Sequence, residues 1–213
     1  MRRRASETPK DPAASLLGTD FGVLRRDVEI PAADGVRLLA THYYPADVDK
    51  APLVLLRSPY GRGNALDQLP KLLAERGYQV LYQSLRGTAG SGGRFDGSTI
   101  DPADADGTLS WLRAQPWFGG VPATWGASYL GFTQWELAAR EIPEWKIALI
   151  QDAPAEFGHR FMYPGGAFAL VLCQVQRVEV GAGLGAGRGV MPSSFWAEDS
   201  GVIERPGMAL IVP

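Results

Sequence analysis

The stretch Trp125-Gly-Ala-Ser-Tyr-Leu-Gly131 carries the residue types that acyl transfer requires. A hydroxyl can attack a carbonyl carbon, and backbone N–H groups can receive the charge that builds on its oxygen. An apolar run, Val121-Pro-Ala-Thr-Trp125, leads in, and a helix-compatible run from Tyr129 to Glu141 leads out. On a tight strand-to-helix turn a serine hydroxyl is pushed clear of the backbone. Gly126 leaves room for that turn, because a side chain two positions before the serine would crowd it. The following helix points free N–H groups back at the turn. Ser128 is therefore the candidate nucleophile. The pattern departs from G-x-S-x-G, since Leu130 stands where the second glycine belongs and Gly131 follows one residue later. On the pattern alone a second reading stands beside the first, a serine that caps a helix N-terminus.

The elements that would position this serine are legible upstream. Val23 to Ile30 alternates as a strand, Asp34-Gly35 makes a turn, and Val36 to Tyr44 returns as an antiparallel partner. Pro52-Leu-Val-Leu-Leu56 is a short continuous apolar run, as expected of a strand covered on both faces. Leu66 to Arg76 places apolar residues at 66, 69, 72 and 73 and is followed by Gly77, which predicts an amphipathic helix with a glycine stop. Strands are expected at 78–82, 121–125 and 145–150, and helices at 104–114 and 129–140. After the hairpin, strand and helix alternate, which implies a parallel sheet with helices on both faces. Sites in such sheets sit at the carboxyl ends of strands, where Ser128 lies, and this favours the nucleophile over the cap.

The 213 residues are 46% hydrophobic, enough for one domain with a substantial core. A net charge of −2 gives no reason to expect nucleic acid or an anionic membrane as partner. No apolar stretch is long enough to span a membrane. Met-Arg-Arg-Arg is followed by Ser-Glu-Thr-Pro-Lys-Asp-Pro, so no secretory signal is expected there; residues 1–18 read as a flexible tail and the default location is cytoplasmic. The single cysteine, Cys173, lies in an apolar run and reads as a buried small residue; neither a disulfide nor a cysteine metal cluster is expected. The glycines at 181–189 do not fit G-x-G-x-x-G, and those at 87–93 lack the Gly-Lys-Ser/Thr of a phosphate loop. No cofactor and no metal site is expected. The second glycine run instead shapes a loop beside the serine.

Several segments, in order, resemble the cocaine esterase-like and X-Pro dipeptidyl-peptidase-like (CocE/NonD) serine hydrolases. Gly126-Ala-Ser-Tyr-Leu-Gly131 with Phe132-Thr-Gln-Trp135 resembles the family's G-x-S-Y-x-G motif, in which the displaced glycine is normal. Arg57-Ser-Pro-Tyr-Gly-Arg62 resembles the segment that supplies a tyrosine to the oxyanion hole. Leu85 to Phe95 resembles the Arg-Gly loop, and Trp111 to Trp117 the helix end before the nucleophile strand. The resemblance covers roughly residues 28 to 170. It implies an α/β-hydrolase fold, a small ester, amide or short peptide as substrate, Ser128 as nucleophile, and the Tyr129 N–H and Tyr60 O–H as oxyanion donors. Read without the family, Tyr60 is a turn tyrosine after a proline, packed on the surface. One departure is Ser84, where the family leads to aspartate.

The family places its acid and histidine later, at later strand ends, so the chain is expected to be truncated on the C-terminal side. The parts would be a tail (1–18), a partial hydrolase core (19–160), and the start of a cap region with an irregular end (161–213). The sheet would then present an apolar edge. Within the chain, Ser128, Asp152 and His159 follow the order of a hydrolase triad. The competing reading has Asp152 capping a turn and His159 entering the cap region, with His42 structural in the hairpin. The alternative to an active hydrolase is a relic or binding module that keeps the fold without a triad. Trp125, Phe132 and Trp135 would line an acyl pocket or belong to the core.

Overall fold

Alternating polar and apolar residues form the hairpin Val23–Pro31 (β1) and Arg37–Pro45 (β2), paired antiparallel from Val23↔Pro45 to Pro31↔Arg37. The continuous apolar run forms Ala51–Ser58 (β3), which is buried along nearly its whole length. In this computed structural model residues 21–97, 100–138, 140–155, 161, 163–167 and 209–211 are described. A 3₁₀ turn, Asn64–Asp67, leads into Gln68–Glu75 (α1), and Gln79–Ser84 (β4) follows. Then come Pro102–Arg113 (α2), Phe118–Ala127 (β5), Tyr129–Ala138 (α3) and Ile147–Gln151 (β6).

The strand order is β1-β2-β4-β3-β5-β6, with Ala209–Ile211 (β7) beyond β6. Only β2 runs against its neighbours; the strands from β4 to β7 are mutually parallel. This is the mostly parallel α/β-hydrolase sheet that the sequence leads to. One face buries Leu53, Leu55 and Leu81 against Leu109 and Leu112 of α2 and Leu137 of α3. The other buries Val54, Leu56, Val80 and Tyr82 against Ala74 of α1. The strand period of two thus sends alternate residues of β3 to opposite cores.

Two expectations need correction. Leu66 and Leu72 do not face inward; both are exposed, while Pro70 and Ala74 are buried. The first turn is 3₁₀, which takes Leu66 out of helical phase, and Leu72 falls on the far side of the 69/73 face. The sheet does not end at β6, because Ile147, Ala148 and Leu149 pair with Ala209, Leu210 and Ile211, and the edge passes to the apolar β7. Three residues are too few to show a period in sequence.

His42 lies in β2 with its ring stacked on Trp117 at 3.9 Å and its Nε2 donating to Gln79 Oε1 at 2.6 Å. Burial pulls its pKa from 6.5 down to about 4. The unfolded chain takes up this proton near pH 6.5 and the folded chain only near pH 4, so stability falls as pH drops through that window. By pH 4 the loss should reach about 3 kcal/mol from this one group. Urea unfolding at pH 7 and pH 4 should show a smaller drop, by about that amount, in a His42→Gln chain; an equal drop in both would refute the assignment.

Candidate active site

β5 ends at Ala127 and α3 begins at Tyr129, so one residue, Ser128, makes the whole reversal. It does so at φ +54°, a conformation costly for a residue with a Cβ. Its N–H donates to the Gln151 carbonyl at 2.9 Å, which ties the turn to the end of β6. Its carbonyl accepts from Gly131 and Phe132, both at 3.0 Å, and so starts the helix. An N-cap serine has extended backbone and lends its side-chain oxygen to the first turn. Ser128 has neither the backbone nor, among the described residues, such a bond. The side chain is half-buried next to an exposed Ala127.

Both glycines of the motif are sterically required. A Cβ on Gly126 would lie 2.3 Å from the Leu130 Cβ and 2.7 Å from its carbonyl carbon. A Cβ on Gly131 would lie 2.4 Å from the Ala153 Cβ. The second glycine is displaced to 131 because that is where α3 crosses the end of β6, whereas Leu130 points toward the α1 face of the sheet.

Tyr60 and Tyr129 come together. Tyr60 leaves the end of β3, and its ring meets that of Tyr129 edge-on with 6.4 Å between centroids. Tyr129 is fully buried and burial pushes its phenol well above the usual tyrosine range. What it can offer a substrate is its backbone N–H, at the first turn of α3, where helix N–H groups lack intrahelical acceptors. Around this pair stand Leu85, Phe95, Phe132, Phe161 and Tyr163, a largely apolar cluster built on the residue that follows the serine. Of the three aromatics that could line a pocket, only Phe132 is here, 5.4 Å from the Tyr129 ring. Trp125 packs on the α1 side with its Nε1 donating to Gln151 Oε1 at 2.9 Å, and Trp135 packs against the main core. Phe95, Phe161 and Tyr163 were not legible as site residues, since no spacing links them to the serine motif.

Ser84 does not tie down the Arg-Gly loop in the way an aspartate there would. Its hydroxyl accepts from Arg62, which also donates to the Leu39 carbonyl at 3.2 Å. The loop is held instead by Arg86, whose guanidinium binds Asp34 at 2.8 Å and the buried Asp104 at 2.6 Å. These carboxylates, Asp34 first, hold Arg86 above the usual arginine range. Ser91 Oγ adds a bond to the Ser84 carbonyl at 3.2 Å.

Asp152 follows Gln151 at the end of β6, exposed and at φ +41°. It thus lies next to the residue that anchors Ser128. His159 lies outside the described residues. His42, on β2, is separated from β5 by two strands, β4 and β3, and stacks on the rings of Tyr44 and Trp117. Among the described residues no group of three histidine, cysteine or acidic side chains could hold a metal ion, and no helix is long and apolar enough to cross a membrane.

The family described as X-Pro dipeptidyl-peptidase (S15 family) matches residues 34–202. Cocaine esterase of Rhodococcus sp. (strain MB1 Bresler) is 34% identical over 164 residues, covering 74% of this chain and 29% of its own. An aminopeptidase from the marine sediment archaeon Thaumarchaeota archaeon superposes with a TM-score of 0.55 at 26% identity, over 71% of this chain and 28% of its own. An α-amino acid ester hydrolase superposes with a TM-score of 0.54, also at 26% identity, over 71% of this chain and 29% of its own. The chain therefore spans less than a third of the length of each of these three relatives.

Proposed function

This chain belongs to the X-Pro dipeptidyl-peptidase (S15) family of hydrolases, and from that premise we propose that Ser128 cleaves an ester or amide bond through an acyl-enzyme. The single observation that carries the reading is the elbow: a serine at φ +54° between β5 and α3, with Tyr60 packed edge-on against the next residue. The Ser128 Oγ attacks the acyl carbonyl, and its proton passes to a base. The oxyanion accepts from the Tyr129 N–H and the Tyr60 O–H. Collapse expels the alcohol or amine, and water then releases the acid. The cluster of Phe95, Phe132, Phe161 and Tyr163 favours an apolar acyl group. The base is a histidine outside the described residues, either His159 aided by Asp152 or one supplied by a longer form of the protein.

Incubation of the folded chain with a fluorophosphonate, followed by peptide mapping, should place the adduct on Ser128. Folded protein that takes up no probe, both as this chain and within a longer form that supplies the histidine, would overturn the proposal in favour of a binding module that keeps the hydrolase fold. Tyr60→Phe keeps the ring and removes one oxyanion donor, so it should slow the labelling about 100-fold, the effect of about 3 kcal/mol. An unchanged rate would remove Tyr60 from the oxyanion hole.

A further inference from the structure

The two proposed oxyanion donors sit on different elements, Tyr60 beyond β3 and Tyr129 at the start of α3. Something must fix their spacing. The β3–β5 register stops at Leu55↔Thr124, so Arg57 and Ser58 lie beyond the ladder that joins β3 to the nucleophile strand. Arg57 spans the gap. It lies on the same face of β3 as Leu53 and Leu55, three residues before Tyr60, with its side chain 2% exposed. Its Nη1 donates to Glu136 Oε2 at 2.6 Å, and Glu136, 13% exposed, stands on α3 about two turns beyond Tyr129. Its Nε donates to Gln83 Oε1 at 3.2 Å, and the Gln83 amide donates to Thr108 Oγ1 at 2.8 Å. The second Glu136 oxygen faces Arg140 at 3.2 Å. The ion pair thus joins the strand of one donor to the helix of the other, inside the core.

We propose that Arg57 and Glu136 are positioning residues that hold Tyr60 in register with the Ser128–Tyr129 turn; the inference rests on the oxyanion hole described above. Stability alone does not account for the pair. A buried ion pair can be replaced by apolar side chains of similar size with little loss, because desolvation offsets the attraction. What apolar packing cannot do is set one fixed distance between two elements through directed bonds.

The test is a double-mutant cycle on the rate of Ser128 phosphonylation. Arg57→Met should slow the reaction about tenfold or more, since small displacements of a catalytic group are costly. In Arg57→Met/Tyr60→Phe the rate should equal that of Tyr60→Phe alone, because once the phenol is gone its placement no longer matters. A merely structural role would multiply the two effects, and that result, or an unchanged Arg57→Met rate, would overturn the proposal. Glu136→Gln gives the same cycle from the helix side if Arg57→Met does not fold. Hydrogen exchange supplies a readout independent of labelling. In Arg57→Met the Tyr60 amide, which donates to Ser58 Oγ at 3.1 Å, should exchange faster while those of β4 stay protected, and unchanged protection at Tyr60 would overturn the positioning role. A parent chain that is not labelled, together with the exchange change in Arg57→Met, would count against the acyl-enzyme and not against the tie between β3 and α3.

Discussion

Ser128→Ala should take up no fluorophosphonate, and Ser128→Gly should take up none while melting at a higher temperature than Ser128→Ala. The loss of labelling follows from removal of the proposed nucleophilic oxygen. In an enzyme with a complete triad, removing the nucleophile costs on the order of 10⁶ in turnover. The difference between the two variants comes from the backbone. At φ +54° any residue with a Cβ carries a cost of roughly 1–2 kcal/mol, which alanine keeps and glycine sheds. Glycine's greater freedom in the unfolded chain takes back part of this gain. A net gain of about 1 kcal/mol corresponds to about 2–4 °C in a chain of this size. Calorimetry of the two variants reads it directly. Equal melting temperatures would mean that the turn is not strained, and a labelled Ser128→Ala would move the nucleophile elsewhere.

The elbow was legible because its two requirements are local. A strand run that ends in Gly126-Ala127 and a helix run that starts at Tyr129 leave Ser128 to make the turn, and Gly126 shows in sequence why it is there. Leu130 in place of glycine looked like a flaw. In three dimensions it is none, since the close contact is made by Gly131 with Ala153, 22 positions along the chain. No spacing rule applied to one segment can see a contact of that kind.

The alternation of strands and helices was legible for the same reason, as was the split of β3 between two cores. The buried polar tie was not. Arg57 and Glu136 are 79 residues apart, and Arg86 and Asp104 are 18 apart. Nothing in the local pattern marks Arg57 as buried, because charged residues at strand ends are usually solvated. The signal that existed was indirect: Arg57 continues the inward series Leu53, Leu55, and a buried charge needs a partner. Likewise Tyr60 could be read from its neighbours only as a turn tyrosine. Its place beside Tyr129 comes from β3 and β5 being adjacent in the sheet, which is a matter of topology.

Gly126→Ala should destabilise the fold by about 3 kcal/mol, lowering the melting temperature by about 6–12 °C, and should cut Ser128 phosphonylation by at least about 100-fold. The added methyl would stand 2.3 Å from the Leu130 Cβ, 2.7 Å from its carbonyl carbon and 2.8 Å from its carbonyl oxygen. Two of these three atoms are backbone in the first turn of α3, so no side-chain rearrangement relieves the clash. Either the helix start moves or the strand end does, and both carry Ser128 with them. Gly131→Ala makes the contrasting case. Its methyl meets chiefly the Ala153 Cβ, so Gly131→Ala/Ala153→Gly should recover most of the stability and labelling lost in Gly131→Ala. For Gly126→Ala, trimming Leu130 to glycine removes one contact of three and should recover little. If Gly126→Ala melts and labels like the parent, the turn accommodates a side chain and the steric account of the motif fails. If both alanine variants are rescued equally, the first glycine serves packing alone and the geometry of Ser128 does not depend on it.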